Sequence, residues 1–186
     1  MNLNGEWGFE IDQGCSGRAR GLPRAQALSG TIQVPFCPES ALSGVRHTDF
    51  MRCVWYRRTF VLPESAAGKR VFIRFGAVDY RSEVWINGVS MGTHEGGYAS
   101  FGFDITGALR PGENVVTVCA EDDTRDPMQP SGKQSGRYES HGCLYTRTTG
   151  IWQTVWMEWM NPTHFDQVFL TPDVSACALH VRAKLT

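Results

Sequence analysis

Residues 79–106 read DYRSEVWINGVSMGTHEGGYASFGFDIT, and Asn87-Gly88 lies at the centre of this stretch. Asn-Gly meets the demand of a type I′ turn for φ > 0 at both central positions, and that turn has the twist antiparallel strands require. Glu83-Val84-Trp85-Ile86 and Val89-Ser90-Met91-Gly92 supply the two strands. Closing the turn there predicts Ile86 opposite Val89 and Val84 opposite Met91 on one face. Trp85 and Ser90 then share the other face, because side chains alternate along a strand. Alone, this is an ordinary β-hairpin. The continuation, Gly92-Thr93-His94-Glu95-Gly96-Gly97-Tyr98 and then Phe101-Gly102-Phe103-Asp104-Ile105-Thr106, carries more information. Gly96 and Gly97 supply backbone freedom, and His94 is expected to satisfy backbone groups at a turn rather than to ligate a metal.

Working outward, short strands recur with turn signals between them. Leu3-x-Gly5-x-Trp7-x-Phe9-x-Ile11 alternates like a half-buried strand. Val54–Leu62 and Arg70–Phe75 follow, the second with Val71, Ile73 and Phe75 on one face. Phe101–Ile105, Asn114–Ala120 after the Arg110-Pro111-Gly112-Glu113 turn, and Ile151–Trp159 complete the set. No amphipathic helix of useful length can be traced. Several short strands separated by turns argue an all-β sandwich over residues 1–160. Gly14–Gly30 reads as an exposed loop, and Pro35 and Pro38 stiffen Val34–Ser40. Trp152 and Trp156 fall on one face of their strand and are assigned to the sandwich core or a buried interface.

Composition excludes several classes. The chain has 186 residues, a net charge of -1 and no Lys/Arg run, so neither nucleic acid nor anionic membrane is an expected partner. No apolar stretch approaches the ~20 residues of a membrane span. The N-terminus, Met-Asn-Leu-Asn-Gly-Glu-Trp, lacks the basic and apolar regions of a signal peptide, so cytoplasmic residence is expected unless a leader was removed. The six cysteines are scattered with no CxxC pair, which predicts reduced thiols, several of them buried, and neither metal nor cofactor.

Taken in order, several strings resemble the N-terminal domain of family 2 glycoside hydrolases, the β-galactosidase, β-glucuronidase and β-mannosidase group. They are Leu3-Asn4-Gly5-x-Trp7-x-Phe9, Trp55-Tyr56-Arg57-Arg58-Thr59-Phe60, the Trp85–Thr106 run, Gly112-Glu113-Asn114 and Thr149-Gly150-Ile151-Trp152-Gln153-Thr154-Val155-Trp156. The resemblance implies a jelly-roll (galactose-binding-like) sandwich and a parent enzyme that hydrolyses O-glycosidic bonds. It also implies that residues 161–186 are a linker and the first strands of an incomplete immunoglobulin-like sandwich. Phe165–Leu170 and Leu179–Leu185 are the strand candidates, and an isolated hairpin is marginal in water. The tail is therefore expected to pack on its own domain or on a second copy.

In the resembling enzymes the catalytic glutamates lie in a (β/α)₈ barrel, which alone needs ~250 residues. Hydrolysis by this chain alone is not expected, and Glu121-Asp122-Asp123 and Asp126 read as solvated loop acids rather than a catalytic pair. The long segment Glu121–Arg147 has little strand pattern, and structureless loops of this length are often functional. Sugar recognition calls for planar polar groups and aromatic faces. Those requirements select Glu39, Arg125, Asp126, Lys133, Tyr145 and Arg147 as candidate substrate-binding residues, with Glu139 and His141 beside them. Leu144 stands where several galactosidases and glucuronidases place a sugar-contacting aspartate, and an apolar side chain cannot accept hydroxyl hydrogen bonds. The partners implied are carbohydrate, a barrel and an immunoglobulin-like domain of the same polypeptide, and a homo-oligomer. An autonomous carbohydrate-binding module and an assembly domain are the competing readings.

Overall fold

The computed structural model describes every residue from Met1 to Thr186. Its strands are β1 (Gly5–Ile11), β2 (Gly30–Val34), β3 (Cys53–Val61), β4 (Arg70–Phe75), β5 (Val78–Asp79), β6 (Arg81–Ile86) and β7 (Val89–Glu95). Then come β8 (Phe101–Asp104), β9 (Glu113–Glu121), β10 (Gly150–Ile151), β11 (Val155–Met160), β12 (Phe165–Asp173) and β13 (Ala178–Leu185). Helical structure is confined to four short 3₁₀ turns.

One layer is a six-stranded sheet in the order β2-β1-β3-β9-β6-β7. The other is the three-stranded sheet β11-β4-β8, accompanied by the short pair β10-β5. Period-two alternation places Tyr56, Val84, Ile86, Val116 and Val118 of the first layer against Val71, Ile73, Phe75, Val155 and Met157 of the second. Each such side chain taken wholly out of water stabilises the fold by roughly 1.5–3 kcal/mol, which is enough to fix the strand phase. The six-stranded sheet is also covered on its outer face. Trp55 and Trp85 stack there, with centroids 5.4 Å apart, together with Cys53, Cys119 and Leu22. The segment Gly14–Gly30, read as an exposed loop, thus contributes a core residue, and it leads into β2, a strand its composition concealed.

The Asn87-Gly88 turn forms with φ of 52° and 78°. Asn87 also donates its side-chain amide to Ala108 O and Asn114 Oδ1 and accepts from Val115 N, so it ties the hairpin to β9. Ile86 pairs with Val89 and Trp85 with Ser90, but Val84 pairs with Gly92 rather than Met91. A bulge absorbs Met91. Phe103 packs over it: a β-carbon at Gly92 would lie 2.7 Å from its ring, and Gly92 adopts φ 138° beneath it. His94 belongs to β7 rather than to a turn, where its ring stacks on Phe101 at 4.0 Å and Nε2 reaches Gly96 O.

The expected single strand Ile151–Trp159 is split into β10 and β11. Its odd-numbered residues Ile151, Val155 and Met157 face the core, so Trp152 and Trp156 take the outer face, half-buried, and do not belong to the sandwich core. All six cysteines are free, with Cys53 and Cys119 fully buried. The tail hairpin β12-β13 does not pack on its own domain, one of the two arrangements expected for it. Every residue of its two strands except Asp173 is exposed, and Val181 and Leu185 lie open at 61% each.

Candidate functional site

The segment 122–149 leaves β9 at Glu121, which pairs with Arg81, and returns at Gly150, which pairs with Asp79. Its two ends are therefore pinned either side of Tyr80, whose amide donates to Glu121 O. At this base stand three carboxylates. Asp79 is 2% exposed and Asp122 6%; Glu39, from the proline-braced loop, is half-buried. Asp122 is thus not the solvated acid its neighbours suggested, because β9 carries it inward beneath the loop.

Side chains of the returning loop hold these carboxylates. Gln134 donates Nε2 to Asp79 Oδ2 at 2.7 Å and accepts from Thr148 N. Thr149 donates its amide to Glu39 Oε2 and its hydroxyl to Asp122 Oδ2. Gln129 Nε2 donates to Asp122 Oδ1. Glu39 Oε1 and Asp79 Oδ1 are buried without a protein partner. Burial pushes the Asp79 carboxyl up to about 7, and the neighbouring charges of Asp122 and Glu39 add to the rise. Burial raises Glu39 and Asp122 as well, against the hydrogen bonds they accept. Gly97 of the Gly-Gly-Tyr string fits here because nothing larger can: its β-carbon would meet Asp79 Oδ1 at 2.4 Å.

Arg147 is the second anchor. It is 3% exposed and donates to the carbonyls of Ser135, Arg137, Tyr138 and Thr48, with its guanidinium over Phe50 at 4.1 Å. Arg125 lies against the same ring at 4.3 Å and pairs with Asp123 at 3.4 Å. Both terminal nitrogens of the Arg147 fork are engaged inside the protein, while its Nε is buried without a partner. Asp126 is exposed and accepts from Met128 N; it lines an open polar cavity of about 320 Å³ with Arg52, Tyr80, Arg81 and Glu95. Glu139 is exposed. His141 Nδ1 meets Ser135 Oγ at 3.1 Å, but Ser135 is fully buried and its hydroxyl reaches the Arg137 and Glu139 carbonyls, which is not the posture of a nucleophile.

Lys133 and Tyr145 come together. Tyr145 N donates to Lys133 O at 2.8 Å, and both side chains are exposed. Beside them, Tyr98 sets its hydroxyl against Gly132, where a β-carbon would lie 2.7 Å away. Tyr98 also packs edge-on against Trp152, whose indole donates to Gly97 O. Trp152, Tyr98, Lys133 and Tyr145 thereby form one aromatic and polar strip. Sequence reasoning found the last two members. It missed Tyr98, which is exposed with its hydroxyl against Gly132, and Asp79, which sat unremarked in an apolar context.

A β-sandwich with an anchored polar loop at one end can host many functions, and comparison with known proteins narrows the class. Residues 40–157 match the family model for "Glycosyl hydrolases family 2, sugar binding domain". The chain belongs to that family. It is 32% identical over 130 residues to a β-galactosidase of Thermoanaerobacter pseudethanolicus, covering 69% of this chain and 16% of that protein. It is 33% identical over 135 residues to a β-glucuronidase of Paenibacillus borealis, covering 71% of this chain and 22% of the relative. A β-glucuronidase from Ruminococcus gnavus, in complex with D-glucaro 1,5-lactone, superposes with a TM-score of 0.81 at 21% identity, over 100% of this chain and 34% of the other, and shows the shared fold. The chain spans only 8% to 22% of the length of the curated relatives it matches, and it corresponds to the non-catalytic N-terminal domain of such glycosidases.

Proposed function

We propose that this chain is the accessory sandwich of a retaining β-glycosidase, and that its 122–149 loop shapes the carbohydrate pocket of a (β/α)₈ barrel on the same polypeptide. The observation that carries this reading is the anchored loop itself: a buried polar network holds a segment whose exposed Lys133 and Tyr145 lie beside exposed Tyr98 and half-buried Trp152. In this reading Glu39 and Arg147 hold the loop, while Arg125, Asp126, Lys133 and Tyr145 face the sugar. The two catalytic carboxylates of such an enzyme would stand on the barrel, so the chain alone is expected to turn over no aryl β-glycoside. Residues 161–186 open an immunoglobulin-like sandwich, which accounts for the uncovered apolar side chains of β12 and β13. Six free cysteines suit the reducing cytoplasm.

Titration of the chain with galactose, glucose and mannose, followed by tryptophan fluorescence, tests this. The accessory role expects no saturation in the millimolar range, since half the pocket would be supplied elsewhere. Saturable binding abolished by Tyr145→Ala would establish the autonomous module instead, a reading the exposed strip also favours.

A further inference from the structure

A second cavity, of about 230 Å³, lies between the 3₁₀ turn Leu22–Arg24, the middle of β3, the Asn87-Gly88 turn and the start of β9. Three of its lining residues are arginines, Arg24, Arg57 and Arg110, against one acid, Glu113. Each arginine has its stem fixed. Arg57 Nε donates to Ala25 O at 2.9 Å, and Arg110 Nε donates to Glu113 O at 3.0 Å. Arg24 lies across the turn glycine, where a β-carbon on Gly88 would fall 2.6 Å from its Cγ.

The terminal Nη nitrogens of all three have no protein acceptor, and none of the three enters an ion pair. Elsewhere Arg18, Arg20, Arg70, Arg74, Arg81 and Arg125 each meet a carboxylate. Asn87 does not compete for a ligand, because its amide is consumed by Ala108, Asn114 and Val115. Like charges gathered without a counterion repel, and the guanidinium fork matches the oxygens of carboxylate, sulfate and phosphate.

We propose that this cavity is an oxyanion site, of a size for one small acidic ligand such as a sulfated or carboxylated monosaccharide. It stands at the turn end of β6, about 20 Å along the strand from the loop base at Arg81. It is thus separate from the strip proposed above, and its fate does not depend on that reading.

Isothermal titration of the chain with sodium sulfate and with sodium D-glucuronate, at about 20 mM NaCl where screening is weak, tests the proposal. Neutral glucose serves as control. Saturable binding of either anion, weakened at higher salt, is expected; sulfate alone would mark an inorganic oxyanion site, and tighter glucuronate an acidic sugar. Arg24→Gln with Arg110→Gln should weaken binding at least ~10-fold, because two charge-assisted contacts are lost. Both residues are exposed, so the folded baseline should persist by circular dichroism. Should the double variant not fold, Arg110→Gln alone replaces it with the same direction expected. Absence of saturable heat with both anions, or unchanged affinity in the variant, overturns the proposal.

Discussion

Replacing Asp79 by asparagine should remove much of the pH dependence of stability near neutrality. Asp79 lies beneath the loop with Oδ2 held by Gln134 and Oδ1 buried without a partner, and burial lifts its carboxyl from 3.8 to about 7. The folded state therefore binds the proton more tightly than the unfolded chain, so stability is present at low pH and lost as pH rises toward the folded value. Between about pH 5.5 and pH 7.5 the unfolded carboxyl is already ionised while the folded one gives up its proton. Linkage over that interval amounts to about 2 kcal/mol, and to no more than about 4 kcal/mol once pH exceeds 8. The substituted amide keeps an oxygen for Gln134 and carries no charge at any pH, at the cost of one buried donor. Urea unfolding of both proteins at half-unit intervals from pH 5 to pH 8.5 measures the difference directly. Asp12 and Asp104 contribute little in that window. Burial pushes their carboxyls upward, but bonds from Ser16 and Gly17 in one case and from Thr106 and Arg70 in the other hold them low, so their contribution is lost only in acid. The wild type should lose stability relative to Asp79→Asn as pH rises. Parallel curves would refute the buried-carboxylate argument.

Asn87→Ala should cost about 2 kcal/mol, from a strained φ together with lost side-chain bonds to Ala108, Asn114 and Val115, whereas Asn87→Gly should recover only the backbone part. Equal melting temperatures for Asn87→Gly and the wild type would show that the bonds contribute nothing beyond the turn. Arg147→Met should leave four carbonyls short of a donor, lower stability by about 3 kcal/mol and expose residues 124–146 to limited proteolysis. Arg147→Lys should rescue less than half of that, since one ammonium cannot span the same acceptors; full rescue would mean that charge alone matters.

The strands around the core were readable because their signals are local. Val71, Ile73 and Phe75 alternate, and Asn-Gly encodes its own φ angles, so both could be placed from neighbours in sequence. The bulge at Met91 was not readable, because Phe103, which packs over Gly92 there, arrives from another strand. That Trp152 and Trp156 lie off the sandwich core was hidden for a related reason: periodicity groups residues on a face but does not say which face is inward, and Ile151 and Val155 decide that only once β4 and β5 are beside them. At the loop, composition correctly drew attention to the Glu121–Arg147 segment. It could not separate Lys133 and Tyr145, which emerge at the surface, from Arg147, whose guanidinium is consumed by carbonyls, one of them far along the chain. A buried carboxylate such as Asp122 looks the same in a sequence as its less buried neighbour Asp123.

The two ends of segment 122–149 meet three consecutive residues, Gly150 against Asp79 and Glu121 against Arg81. The same short gap is thus spanned whatever the excursion contains. Doubling such an excursion adds only about 0.6 kcal/mol of closure entropy, so the sandwich behaves as a socket into which recognition loops of different length can be exchanged. The constraint on an exchange is chemical rather than geometric. An incoming loop must bring its own equivalents of Gln134 and Thr149 for the waiting carboxylates of Asp79 and Glu39, or those carboxylates must change with it. Loop grafting at residues 121 and 150 should therefore succeed or fail on two acids and not on length.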